Sequence, residues 1–160
     1  MVAQALAEST GWPMAEGDDF HPPANVEKMR SGYPLTDSDR RQWLSAIADW
    51  IGASEQAGHS SVVTCSALNR SYRDLLRDGH PSVSFCQLEA VTGTLRARLQ
   101  ARKSHYMPAS LLDSQLATLQ SLEDDEPGGR VDAEGDPASV LEAVRQCVAS
   151  AVAAAGRPEA

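Results

Sequence analysis

The chain has 160 residues, 42% of them hydrophobic and 22% charged, which is typical of one soluble globular domain with a core of its own. Its formal net charge of −8 excludes general electrostatic binding to nucleic acid or to anionic membranes, because both need a basic surface. Three cysteines, an odd number, lie in apolar runs without metal-ligand spacing, which indicates buried thiols in a reducing compartment.

The order of apolar runs, caps and breakers predicts alternating helices and strands. Glycines are expected to end helices at Gly11, Gly32 and Gly79, while Thr36 and Asp136 supply N-cap chemistry. In chain order we expect a helix at 1–9, a strand at 12–16, a helix at 24–31, a long helix opening at 36–39, a strand at 61–65, a helix at 69–78, a strand at 83–88, helices at 92–103 and 110–122, a strand at 130–132 and a helix from 137 to about 155.

No part of the sequence predicts a leader or a membrane span. The first residues lack a basic region followed by a long apolar block, so we expect no secretory leader. The apolar stretch 140–155 is short for a span, and Glu142, Arg145 and Gln146 interrupt it. We therefore expect a cytoplasmic protein that binds neither nucleic acid nor membrane.

Strands that alternate with helices indicate a single α/β domain over residues 1–160, with a parallel sheet covered by helices on both faces. Ligands of such sheets bind beyond the carboxyl ends of the strands. Three segments follow predicted strands and should meet at that edge: 16–21, 66–70 and Glu89.

The acidic stretch EGDDFHPP at 16–23 follows the first predicted strand. At that position one of the carboxylates Glu16 and Asp18 could help to hold Mg²⁺, and the other could accept a proton from an attacking hydroxyl. An ordinary acidic turn explains the stretch equally simply, and for this motif alone it is the more common case. A single histidine such as His21 is also more often structural than ligand-binding.

Two basic segments stand out in an acidic chain. Arg70 and Arg73 lie near a helix start, where an anionic ligand or a surface network with Asp74 and Asp78 would explain them. The segment RARLQARKSH at 96–105 creates a local positive field, and its Arg98 and Arg102, four residues apart, share a helix face suited to phosphate. A solvated helix face is the alternative for the second segment.

Three long segments together resemble the gluconokinase family of P-loop small-molecule kinases. They are GDDFHPPANVEKMRSGYPLTDSDRRQWL at 17–44, CSALNRSYRDLLRDG at 65–79 and LRARLQARKSHYMPASLLDSQLATLQSLE at 95–123. The resemblance implies a three-layer P-loop kinase-like fold with a helical lid at about 95–122. It also implies transfer of the ATP γ-phosphoryl group to the 6-hydroxyl of D-gluconate, with Mg²⁺, and a possible homodimer.

The resemblance also implies roles for particular residues. Asp18 would be the base or hydroxyl-orienting group, and Glu16, where the family commonly has aspartate, would support Mg²⁺ through water. Position 69, often basic in the family, is Asn here, which weakens a charge role there. The implied sugar-acid pocket has His21, Lys28 and Arg40, with Arg70 and Arg73 near the carboxylate or phosphate, and Arg98 and Arg102 resemble lid arginines that face the nucleotide.

One family motif is not found in the sequence. The family has a first strand and a glycine-rich phosphate loop before a helix that resembles VAQALAE, whereas no G-x-x-x-x-G-K-[ST] occurs in these 160 residues. We expect this loss to impair ATP binding and to leave a central strand missing, and we favour a start codon assigned too far downstream. The alternatives are an inactive remnant that keeps a binding or dimer surface, or a shikimate-like kinase, although His21 and the NVEKM that follows favour gluconate.

Overall fold

The computed structural model describes residues 1–101 and 108–156. Two 3-10 turns occur at Gly17–Phe20 and Ala109–Leu111. The helices are α1 Val2–Thr10, α2 Pro23–Arg30, α3 Asp37–Gln56, α4 Arg70–Arg77, α5 Thr92–Ala101, α6 Leu112–Thr118 and α7 Pro137–Ala155, and the strands are β1 Met14–Glu16, β2 Val62–Thr64, β3 Phe85–Glu89 and β4 Gly128–Asp132.

The predicted order of helices and strands is confirmed, with differences at the ends of elements. Helix α6 ends at Thr118 and not near 122, and β4 begins at Gly128, two residues earlier than expected. The predicted end of the helix at 92–103 falls outside the described residues. Caps form as predicted: the Thr36 hydroxyl accepts from the Asp39 N–H at 3.2 Å, and Gly11 ends α1 with φ 72°.

The strands form two parallel pairs. Strand β1 pairs with β2, with Glu16 opposite Thr64, and β3 pairs with β4, with Glu89 opposite Asp132. Within the described residues no hydrogen-bonded ladder joins the two pairs. Both pairs nevertheless lie between the same two helical layers, as the side chains of neighbouring β2 residues show.

Val63 packs toward one helical layer and Val62 toward the other, as the alternation of a strand requires. The first layer contains α3 and α4, and the second contains α1 and α7. The main buried cluster comprises Trp43, Leu44, Ile47, Ile51, Tyr72 and Leu76. This arrangement is the predicted α/β fold with helices on both faces.

Two side-chain expectations need correction. Trp50, whose spacing along α3 predicts a core residue, is only half-buried and packs against the main cluster. The cysteines are free, as expected, but they are half-buried and not fully buried. Burial still raises the pKa of the Cys65 thiol to about 12.

Helix α7 meets the criteria of length and apolar composition for a membrane span. These criteria are weak evidence, because core helices of soluble proteins meet them as well. In this fold the buried residues Val140 and Val144 belong to α7, and Val144 packs with Leu6 of α1 and Val131 of β4.

Candidate active site

A pocket of about 530 Å³ opens beyond the carboxyl ends of the strands. The ends of all four strands reach it: Glu16 ends β1, Thr64 ends β2, Leu88 and Ala90 mark the end of β3, and Ala133 follows β4. Of the predicted site residues, those that line it are Glu16, Asp18, His21, Arg40 and Arg98. Of the three segments expected to meet at this edge, Glu16, Asp18, His21 and Ser66 line the pocket, whereas Glu89 does not, although its neighbours Leu88 and Ala90 do.

The acidic stretch is fixed where β1 leaves the sheet. The Thr64 hydroxyl donates to the Glu16 carboxylate at 2.6 Å and accepts from the Gly17 N–H at 3.2 Å. A Cβ at Gly17 would lie 2.0 Å from the Thr64 carbonyl oxygen, so only glycine allows this approach of the two chains. The next residue, Asp18, follows in the 3-10 turn and faces the pocket. The start of the stretch is thus held by specific contacts with β2.

His21 lies on the ring of Trp43, with ring centroids 4.3 Å apart and planes 16° from parallel. Burial, with the nearby positive charge of Arg40, lowers the pKa of His21 to about 4. The imidazole is therefore neutral near pH 7; its Nδ1 lies 3.5 Å from the Asn25 side-chain amide nitrogen, which leaves the Nε2 position for a ligand.

Arg40 is a buried cation on the pocket wall. The residue is only 7% exposed, and its guanidinium lies 5.6 Å from the centre of the Tyr72 ring. The Tyr72 hydroxyl donates in turn to Asp37. Among the ion pairs of the described residues, none includes Arg40. A buried guanidinium that opens on a cavity is suited to a ligand carboxylate or phosphate.

Two arginines of the basic segment at 96–105 differ in their surroundings. Arg98 lines the pocket, whereas Arg96 points to Asp113 and pairs with it at 2.9 Å. Arg102, the second predicted lid arginine, lies outside the described residues.

Lys28 is not among the residues that line this pocket. Its ammonium group pairs with Asp39 at 2.6 Å, and this hydrogen bond lowers the pKa of the Asp39 carboxyl to about 2. The same Asp39 oxygen accepts from the Thr36 N–H at 2.9 Å. In this arrangement Lys28 ties α2 to the start of α3, and its predicted contact with substrate has no support from the geometry.

Arg70 and Arg73 also lie away from the pocket lining. The Arg73 guanidinium is buried, donates to both oxygens of buried Glu126 at 2.5 and 2.8 Å, and reaches main-chain carbonyls of the 120–121 segment. Arg70 pairs with Asp74, Glu123 and Asp125. The network with Asp74, left open as an alternative, is therefore present for Arg70. The contacts of both arginines are with protein groups, which indicates a structural role.

Sequence reasoning did not identify two residues that shape the site. Thr64 was part of a β-branched run, and Trp43 had the spacing of a core residue, which it also is. The indole N–H of Trp43 donates to the Gly17 carbonyl at 2.6 Å, a contact between positions 26 apart. Thr64 lies outside the three segments that carry the resemblance, and Trp43, although within the segment 17–44, has no role implied by it, so only the fold reveals their contacts.

The chain is similar to several curated proteins along most of its length, although no protein-family model matches it. It is 54% identical to the gluconokinase of Gluconobacter oxydans (strain 621H) over 141 residues, which are 88% of this chain and 79% of the relative. It is 39% identical to the thermoresistant gluconokinase of Escherichia coli (strain K12) over 150 residues, 91% of this chain and 86% of the relative.

Solved structures show the same similarity. A sugar kinase from Janibacter sp. HTCC2649, in unliganded form, superposes with a TM-score of 0.87 at 45% identity, covering 92% of this chain and 86% of the other. A gluconokinase from Sinorhizobium meliloti 1021 superposes with a TM-score of 0.83 at 39% identity, covering 96% and 87%. With this degree of identity over most of both chains, the protein belongs to the gluconokinase family.

Proposed function

We propose that the protein transfers the γ-phosphoryl group of ATP to the 6-hydroxyl of D-gluconate, giving 6-phospho-D-gluconate. The observation that carries the proposal is the pocket itself, which brings Asp18, His21, Arg40 and Arg98 together in a member of this family. A sugar acid needs a cation for its carboxylate, polar groups for its hydroxyls and a proton acceptor near one hydroxyl. The pocket offers each of these.

Asp18 is the proton acceptor of this scheme. As the 6-oxygen attacks the γ-phosphorus, its proton passes to the Asp18 carboxylate and the bond from phosphorus to the β,γ-bridging oxygen breaks, releasing ADP. Arg40 holds the gluconate carboxylate by a charge-assisted contact in a buried setting. Neutral His21 contacts a hydroxyl as donor or acceptor. These contacts fix the hydroxyl in line with the phosphate, and phosphoryl transfer depends mainly on such positioning.

A Mg²⁺ ion fits the donor chemistry of the site in a limited way. Glu16 and Asp18 are oxygen donors on one pocket wall, and the Thr64 hydroxyl orients the Glu16 carboxylate. The described residues contain no cluster of three or more metal-ligating side chains, so Glu16 would support the ion through water molecules beside the nucleotide phosphates. When bound, the ion neutralises developing charge on the phosphates.

Arg98 supplies positive charge for the phosphates from the lid side of the pocket. The printed sequence has no glycine-rich phosphate loop of the family type. We therefore expect a version with a strand and such a loop ahead of Val2 to bind ATP more tightly than the 160-residue chain and to unfold more cooperatively. The homodimer and the cytoplasmic location remain predictions.

The test is a coupled assay for 6-phosphogluconate with ATP and Mg²⁺, run on the 160-residue chain and on the extended version. Shikimate and a neutral hexose serve as comparison substrates. Turnover of gluconate well above both would support the proposal. Turnover of shikimate in preference to gluconate, or of neither in both versions, would refute it.

A further inference from the structure

The indole of Trp43 contacts both ends of the turn that carries Asp18. Its N–H donates to the Gly17 carbonyl at 2.6 Å, directly before Asp18, and its ring stacks on His21, which directly follows the turn. Trp43 is 1% exposed and lies within the 20-residue helix α3. One rigid side chain on a long helix thus contacts the main chain before the carboxylate and the imidazole after it.

The Gly17 peptide is held from the opposite side as well. Its N–H donates to the Thr64 hydroxyl, and its Cα lies so close to β2 that a Cβ would meet the Thr64 carbonyl oxygen. With the N–H bound to β2 and the carbonyl bound to Trp43, the peptide planes on both sides of Gly17 are fixed. The direction in which the chain enters Asp18 therefore depends on the Trp43 hydrogen bond.

We propose that Trp43 is a positioning residue that sets the direction of Asp18 and His21 in the pocket. The inference rests on the proposed function for the identity of the substrate. It goes further by assigning a role in catalysis to a side chain that acts through its contacts with Gly17 and His21. Any buried indole N–H needs an acceptor, and here that acceptor is the main-chain carbonyl one residue before the proposed base.

The test compares two identical substitutions on the same helix. Trp43→Phe keeps an aromatic ring against His21 and removes the donor to Gly17. Trp50→Phe is the matched control, since Trp50 also touches the turn, through an edge contact with Phe20 at 6.4 Å between ring centroids. Turnover is measured in whichever version of the chain gives the faster gluconate reaction, and thermal melts verify that both variants fold.

We expect Trp43→Phe to lower kcat about tenfold, with the KM for gluconate within about twofold of wild type. Trp50→Phe should leave both constants within about twofold. A general loss of packing would instead lower the melting temperature and leave kcat of the folded protein unchanged. Equal kcat in the two variants would overturn the proposal.

A second measurement does not depend on activity. Backbone ¹⁵N order parameters of Gly17–Phe20 and His21 should fall in Trp43→Phe and stay at the wild-type value in Trp50→Phe. Unchanged values in Trp43→Phe would overturn the positioning role whatever the enzyme does. If the wild type does not phosphorylate gluconate and the order parameters still fall only in Trp43→Phe, the proposed function fails and the positioning role stands.

Discussion

Replacing Glu126 by glutamine should destabilise the fold strongly, because Glu126 neutralises a buried arginine. Glu126 and Arg73 are 7% and 3% exposed, and two hydrogen bonds of 2.5 and 2.8 Å join them. The pair connects helix α4 to the segment that leads into β4. Glutamine keeps the shape of glutamate but removes the negative charge that offsets the guanidinium.

The size of the effect follows from burial. Leaving one partner of a buried ion pair without its counter-charge costs about 3–5 kcal/mol of unfolding free energy. In Glu126→Gln, Arg73 keeps its contacts to the carbonyls of Ala67 and Gln120, at 3.2 and 2.9 Å, and can still donate to the amide oxygen of the glutamine. We therefore expect a loss of unfolding free energy near the lower end of this range. For a chain of this size, about 3 kcal/mol corresponds to a fall in Tm of about 6–12 °C.

Asp125→Asn is the matched control. Asp125 is the neighbouring residue and forms a bidentate salt bridge with Arg70, but its side chain is 67% exposed. Because water screens this ion pair, we expect the Tm of Asp125→Asn to stay within about 2 °C of the wild-type Tm. Urea unfolding followed by tryptophan fluorescence, together with thermal melts, gives both values.

The pH dependence makes the test sharper. The hydrogen bond from Arg73 lowers the pKa of Glu126 below its ordinary value. The resulting stability is present above the unfolded-state pKa and is lost as the pH falls through the folded-state pKa. The difference in unfolding free energy between wild type and Glu126→Gln should therefore become smaller as the pH falls. The reasoning would be refuted if Glu126→Gln were as stable as wild type at pH 7, or if Asp125→Asn lost as much unfolding free energy as Glu126→Gln.

Three further predictions concern the pocket. Asp18→Asn should lower kcat by about 10²–10⁴-fold while calorimetry finds ATP binding nearly unchanged, and near-normal turnover would exclude Asp18 as the base. Arg98→Ala should raise the KM for ATP several-fold and Arg96→Ala much less, since only Arg98 lines the pocket; equal effects would mean a general positive field. The folded-state pKa of His21 is about 4, so the wild type should lose stability as pH falls from about 6.5 to 4, where only the unfolded chain takes up the proton. His21→Asn should lose less over that range in urea midpoints, and parallel curves for the two proteins would contradict the assignment.

The sequence predicted the parts of the site that depend on local pattern. A strand followed by acids placed Glu16 and Asp18 at the sheet edge, and the resemblance brought His21, Arg40 and Arg98 to the same pocket. The positions of Glu16 and Asp18 follow from where β1 ends, which apolar runs and breakers largely determine.

The partner of Arg73 could not be predicted from local sequence pattern. Its partner Glu126 lies 53 positions further along the chain, in the acidic run 123–126, whose composition is typical of a solvated loop. Burial of that carboxylate arises only when α4 and the segment before β4 pack together. Trp43 was likewise read as core, which is correct, but spacing along a helix says nothing about which carbonyl its N–H will reach.

The Asp39 carboxylate has two partners, and this determines how easily the loop between α2 and α3 opens. One oxygen binds both Lys28 and the N–H of Thr36, so the same atom closes the loop between α2 and α3 and caps α3. That loop contributes Pro34 and Leu35 to the pocket wall and exposes Tyr33 to solvent. Loss of the Asp39 side chain would release both ends of the loop in one step, and segments without such ties are the first to open under native conditions. Amide hydrogen exchange would then report the state of the pocket wall, because the N–H groups of Tyr33, Leu35 and Thr36 should exchange faster in Asp39→Ala than in the wild-type chain.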